Sequence, residues 1–337
     1  MVVLSLLLLI IVIFEVKVER SNWLDGEKTN CIKGIFAYFV ILHHLALLNI
    51  ESSVVTRIYS HMGYFSTGVF FTISGYALGK KYNELNLYTT IRFWKRRIIK
   101  IVIPYFCVSL IYWGGYNLYL NENISIPEFL VSFFNGKPII SASWYIIVLL
   151  LYYIIYSLSW NLLCTFKFRF FFLSVGVIVS TFLFFYLGLG SNWYNSNFCF
   201  LLGVFLGKTE TKYKKVYKNY IFITLNVFLL LISILLKKQN NDFNIIDLLF
   251  AEASSICFSN IILSILCCIK FKVKLLSTMG RVSLYVYLLH VLIYQLMIKY
   301  VYDKVCNKSV LYIQIVTCVY VVSFGVYYIY RKIEKHE

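Results

Sequence analysis

Three titratable side chains stand in one otherwise apolar stretch, KGIFAYFVILHH over residues 33–44. Lys33 opens it, and His43 and His44 close it. Ionisable groups are costly in hydrocarbon, so inside a segment that can cross a bilayer they mark a polar pathway or a reaction site. Imidazole acts as a general base or as a covalent acyl carrier. At 1.5 Å per residue, the rise from Lys33 to His44 is about 16 Å and close to three turns, so both side chains share a face at different depths.

A second stretch, GRVSLYVYLLH over 280–290, repeats the pattern. Ser283, Tyr287 and His290 are spaced by four and then three residues and share a helix face. His290 lies nine residues past Arg281, about 13 Å deep. Two imidazoles at matched depth on different helices imply one polar cavity, the plainer alternative being a hydrogen bond that only joins helices. His43 is turned about 100° from His44 and is expected to face a neighbouring helix. His61 falls in a loop and His336 in the tail.

The connection ending in KRRIIKIVIPY brings Arg96, Arg97 and Lys100 to the start of another apolar run. Anchoring at a membrane face explains most such residues. Clustered guanidinium and ammonium groups also suit phosphates, and Pro104 inside the run frees backbone groups to line a cavity. The segment YFSTGVFFTISGYALGK, with Ser74 and Tyr76, is rich in small residues that permit close packing and leave room for a ligand. At the opposite ends of the apolar runs, aromatic and polar side chains interleave, with Ser143, Trp144 and Trp193 among them. An interfacial aromatic belt is the ordinary account, yet flat rings edged with amides are what a sugar needs. Glu252 is an intramembrane acid with no evident partner in the sequence, which makes it a further acceptor-site candidate.

Positioning these groups requires a bundle of membrane helices. The 337-residue chain is 60% hydrophobic and 14% charged, with mean hydropathy +0.76. Apolar runs near the spanning length of about 20 residues recur throughout, the pattern of an all-α polytopic membrane protein. Ten core helices are expected, over 31–50, 63–80, 98–117, 141–160, 169–189, 194–207, 219–236, 246–269, 282–300 and 310–330. Residues 1–30 form an apolar segment and linker, 31–330 the membrane domain and 331–337 a tail; Met1 to Phe14 reads as a short extra span or an interfacial segment. Of 32 lysines and arginines, 25 fall on one side of these ten helices, which places that side and both core termini in the cytoplasm. The basic residues lie between apolar runs, so the net charge of +17 argues for a bilayer and against nucleic acid. The nine cysteines show no metal-ligand spacing and read as small core hydrophobes; no metal is expected.

Together these motifs resemble acyltransferase family 3, the integral-membrane enzymes that O-acetylate glycans and other acceptors. The resemblance rests on five segments in order. They are Lys33 to His44, with ten intervening residues; GVFFTISGYALGK; KRRIIKIVIPY; SWYIIVLL; and GRVSLYVYLLH. Lysine at 33, where arginine is commoner in the family, keeps the charge and loses the planar fork. The resemblance implies transfer of an acetyl group from cytoplasmic acetyl-CoA, a substrate and not a resident cofactor, to a hydroxyl of a cell-surface or lipid-linked polysaccharide such as capsule, in the plasma membrane of a bacterium. It implies His44, His290 and Lys33 as catalytic groups, and Arg96, Arg97, Lys100, Ser74 and Tyr76 around the donor. It implies Ser143, Trp144, Trp193, Glu252, Ser283 and Tyr287 around the acceptor and the reacting atoms. A glycan flippase or polymerase of the same size, or transfer of a succinyl or other acyl group, is the alternative reading.

Overall fold

The computed structural model describes residues 4–6, 24–48, 53–132, 139–163, 165–237, 244–269, 272–302, 305 and 308–334. Most of the N-terminal apolar segment, the last three residues of the tail and His336 lie outside the described residues. The elements in chain order are α1 (Gly26–Leu47), α2 (Val54–Ser60), α3 (Met62–Lys81), α4 (Leu87–Phe93), a π turn (Trp94–Ile99), α5 (Lys100–Gly115), a second π turn (Tyr116–Leu120) and α6 (Ile126–Val131). After a 3-10 turn (Ser141–Ser143) come α7 (Trp144–Leu162), α8 (Phe166–Tyr186), α9 (Phe198–Tyr217), α10 (Tyr220–Leu236), α11 (Ile245–Cys268), α12 (Lys274–Arg281), α13 (Ser283–Val301) and α14 (Lys308–Glu334). Helix alone satisfies every backbone group inside lipid, and no strand occurs among the described residues.

A long helix stands at each of the ten expected places, but not every one crosses a membrane on its own length and composition. Among the described residues seven helices do so, or eight if α9 with its preceding turn and α10, bent by 100° where they meet, count as one broken span. The expected count of ten independent spans is therefore too high. Glycine and hydroxyl residues dilute the apolar character of α3. The second half of α9 carries Lys208, Glu210, Lys212, Lys214 and Lys215, and α10 has only 17 residues. The break itself is local chemistry: Asn219 leaves the helical conformation and its side chain accepts from the Ile221 N–H at 2.9 Å, starting a new helix.

Bilayer tails do not drive helices together, so close backbone approach has to. Gly75 and Gly79 of α3 face Gly203 and Gly207 of α9 in one seam. A Cβ added at Gly75 would lie 2.3 Å from the Phe200 carbonyl oxygen, and one at Gly203 would lie 2.1 Å from that of Thr72. A second seam joins α1 to α12, where a Cβ at Gly34 would meet the Leu276 carbonyl oxygen at 2.3 Å. These two contacts hold α1 and α3, the helices that carry the Lys33–His44 and Ser74 motifs, against the rest of the bundle. The start of α1 is capped by Asp25, whose carboxylate accepts from the Lys28 N–H at 2.8 Å.

Between α4 and α5 the π turn spans Trp94–Ile99 and contains Lys95, Arg96 and Arg97. A π turn takes in one extra residue and so changes the direction of the side chains around it. Pro104 follows within α5, buried. Among the described residues near the N-terminal end, the Leu4 carbonyl accepts from the Tyr38 hydroxyl at 2.9 Å, and Ser5 accepts from the Tyr59 hydroxyl at 2.8 Å.

Candidate active site

Two cavities lie along the inner face of α1, and the residues lining them differ in chemistry. One, of about 220 Å³, is lined by Lys33, Ser74, Arg96, Arg97 and Ser283, with Tyr145, Tyr153 and Tyr287 and the apolar Phe70, Ile101, Ile146, Leu149 and Leu284. No carboxylate faces it. Three cations in so small a space attract an anion, and Arg96 and Arg97 offer the donor geometry that suits phosphate oxygens. The other cavity, of about 400 Å³, is lined by His43, His44, Tyr64, Thr67, Ser141, Ala142, Trp144, Ser191, Asn192 and Tyr287, with Val40, Leu47 and Gly63. Hydroxyls, an amide and aromatic faces dominate it, and it too has no acidic side chain in its wall.

The histidines meet at the second cavity. The rings of His44 and His290 have centroids 4.7 Å apart with planes at 50°, and Tyr294 lies along His44 at 6.3 Å. His290 is fully buried. Its Nδ1 is 3.1 Å from the Val286 carbonyl oxygen, which only accepts, so Nδ1 carries a proton. The neutral ring then presents a bare Nε2, a buried atom without a hydrogen-bond partner among the described residues. Such an atom is costly to leave unmade, and here it is held beside a second imidazole. His43 borders the same cavity and, as its 100° offset implies, faces neighbouring helices: its Nδ1 lies 3.2 Å from the Tyr59 carbonyl oxygen and its ring packs on Gly63, where a Cβ would sit 2.5 Å from Nε2.

The remaining sequence candidates divide. Lys33, Ser74, Arg96, Arg97 and Ser283 surround the basic cavity; Trp144 joins His44 at the other; Tyr287 touches both. Lys100 lies elsewhere, its Nζ 2.5 Å from the Glu334 carboxylate. Tyr76 is buried against α9, where its hydroxyl donates to Glu210 at 2.7 Å and Lys80 completes the cluster. Ser143 is buried beside the Tyr105 hydroxyl at 3.2 Å, outside both cavities. Trp193 packs edgewise near Phe184, centroids 5.6 Å apart, although its neighbours Ser191 and Asn192 reach the histidine cavity.

Glu252 has partners that its sequence does not reveal. One carboxylate oxygen accepts from the Asn197 N–H at 2.7 Å and the other from the Phe198 N–H at 3.0 Å. It therefore closes the N-terminal end of α9, where free N–H groups and the helix dipole favour a negative group. Thr67, one of the small residues of the YFSTGVFFTISGYALGK segment, lines the histidine cavity, and residues that the sequence did not single out complete the walls, notably Tyr64, Ser141 and Tyr153. For Tyr64 the available signal was position, opposite His43 and His44 at the start of the neighbouring helix.

At the loop end that flanks the histidine cavity, burial and the nearby Lys237 ammonium hold the His61 imidazole below its ordinary range. Lys237 lies 4.4 Å over the Tyr64 ring, and burial holds its ammonium below the usual lysine range.

The chain is thus an all-α membrane bundle in which a cationic cavity stands beside an imidazole-bearing one. The acyltransferase domain model of acyltransferase family 3 matches residues 22–332, nearly the whole chain, and the protein belongs to that family. No curated protein and no solved structure matched.

Proposed function

We propose that this acyltransferase moves an acetyl group from cytoplasmic acetyl-CoA to a hydroxyl of a cell-surface or lipid-linked polysaccharide. The observation that carries the reading is the arrangement of two cavities around one helix, with Lys33 in the cationic one and His44 in the other. CoA is an anion with several phosphates, and Arg96, Arg97 and Lys33 supply its counter-charge. The histidine cavity, with Trp144 as a flat apolar face and Asn192, Ser191 and Thr67 as hydrogen-bonding groups, takes the sugar. The excess of cationic residues at the first cavity's end supports a cytoplasmic position for that end.

In the reaction, His44 removes the proton from the acceptor hydroxyl as its oxygen attacks the thioester carbonyl. The new C–O bond forms, the C–S bond breaks, and the proton passes from His44 to the departing CoA sulfur. In this reading the bare Nε2 of His290, without a partner among the described residues, takes up a hydrogen bond from His44 in the reacting complex and so fixes the His44 tautomer with its other nitrogen free to act as base. Ser283 and Tyr287 border the path of the acyl group.

The test is nuclear magnetic resonance of surface polysaccharide from cells carrying the intact gene, a deletion, and His44→Ala. Loss of O-acetyl methyl signals in both altered strains is expected, with the variant protein still in the membrane. Unchanged acetylation with altered polymer length or export in the deletion would replace this reading with a flippase or polymerase. Loss of signals from a different acyl group would keep the enzyme and change the donor.

A further inference from the structure

Among the described residues, Tyr287 alone lines both cavities. It is buried, its ring stands 5.3 Å from that of Tyr145 and 5.9 Å from that of His290, and its hydroxyl donates to the Ala142 carbonyl. We propose that the Tyr287 side chain is a gate between the donor and acceptor cavities, latched shut through Ala142.

The inference rests on the donor and acceptor reading above and adds how the two substrates are kept apart. A thioester held near Lys33 and a base at His44 form a hydrolase if water reaches both at once: a water hydroxyl takes the acyl carbon, the C–S bond breaks, and the proton goes to the CoA sulfur. Exclusion of water from such a site is a recurrent task of movable side chains and loops. Here the phenol ring fills the shared wall, held by its hydrogen bond to the Ala142 carbonyl and by edge contact with the Tyr145 ring. The latch belongs to the 3-10 turn Ser141–Ser143, whose Ser141 and Ala142 also line the histidine cavity. A sugar that presses on this turn acts on the Ala142 carbonyl directly, so acceptor arrival and gate release share one small segment. Rotation of a single phenol then joins the cavities when the hydroxyl to be acylated is already beside His44.

Two readouts test this in sealed vesicles whose cationic face is outward. The first uses Ser141→Cys in the histidine cavity and a membrane-impermeant methanethiosulfonate added outside, with labelling of that peptide read by mass spectrometry. Labelling is expected to be slow with Tyr287 present, faster with Tyr287→Phe, which keeps the ring and loses the latch, and at least about tenfold faster with Tyr287→Ala. Ser283→Cys, in the cationic cavity, should label rapidly in all three. Equal Ser141→Cys rates in the three chains would overturn the gate. The second readout is acetate released from acetyl-CoA with no acceptor present. It should rise about tenfold in Tyr287→Ala and fall back when His44→Ala is added. Faster labelling without any acetate would uphold the gate and remove acetyl-CoA as the donor.

Discussion

The imidazoles of His44 and His290 stand 4.7 Å apart between ring centroids, on α1 and α13, helices from opposite ends of the chain. The Val286 carbonyl fixes the His290 proton on Nδ1 and leaves Nε2 bare, without a hydrogen-bond partner among the described residues. In the proposed mechanism the two rings have unequal tasks: His44, which lines the larger cavity, acts as the base, and His290 is a positioning residue behind it.

That division predicts unequal losses. His44→Ala should lower kcat by about a thousandfold, within the range of a lost general base. His290→Ala should lower it by about a hundredfold through misplacement of His44. His290→Asn, whose side chain still offers an acceptor, should recover part of the rate. Acetyl transfer measured with purified protein, together with its pH profile, separates the two, because a merely structural His290 would leave the profile unmoved.

The cations around the smaller cavity differ in what they touch. Arg97→Gln should raise KM for acetyl-CoA by about tenfold or more, the effect of one lost charged hydrogen bond. Lys100→Ala should change KM little, because Lys100 pairs with Glu334 outside the cavity, and exposed pairs contribute about 1 kcal/mol or less. Titration of initial rates against acetyl-CoA reads both.

Glu252 predicts a stability effect without a rate effect. Glu252→Ala leaves the Asn197 and Phe198 N–H groups buried and unanswered, at a cost of about 1–3 kcal/mol. Glu252→Gln keeps an acceptor and should cost less. Denaturant unfolding in detergent micelles gives the cost, and the folded fraction should turn over at the ordinary rate.

Size alone should break the α3–α9 seam. Gly203→Leu drives a side chain into the Thr72 carbonyl and should cost about 3 kcal/mol or more, enough to lower the amount of protein in the membrane. Gly114→Leu, at a position with open space beside its Cα, is the control and should express normally.

The sequence made the helices legible because each needs about 20 apolar residues, and all ten expected places hold a long helix. It overstated how many cross the membrane alone, since the features that lower hydropathy in α3 are the ones that let it pack on α9. Matched depth on two helices led to the His44 and His290 pair, a relation that rise per residue alone predicts. Contacts across the bundle were not legible. Nothing near Glu252 in the chain points to Asn197, nothing near Lys100 points to Glu334, and the double position of Tyr287 exists only once α7 and α13 are packed together.

The π turn at Trp94–Ile99 makes the rod from Leu87 to Leu120 sensitive to length in an unusual way. A residue adds about 100° of rotation in an α-helix, and the extra one here sets the angular phase between Phe93, buried in the core, and Pro104 and Tyr105 further along. Deleting a single residue within Trp94–Ile99 would let the segment relax into regular α-helix at almost no cost in hydrogen bonds. The guanidinium groups of Arg96 and Arg97 would then swing away from the cationic cavity while the rod itself stayed intact. In this helix, position along the chain works as a dial for direction, and one register step separates an enzyme that grips its anion from one that presents the same charges elsewhere.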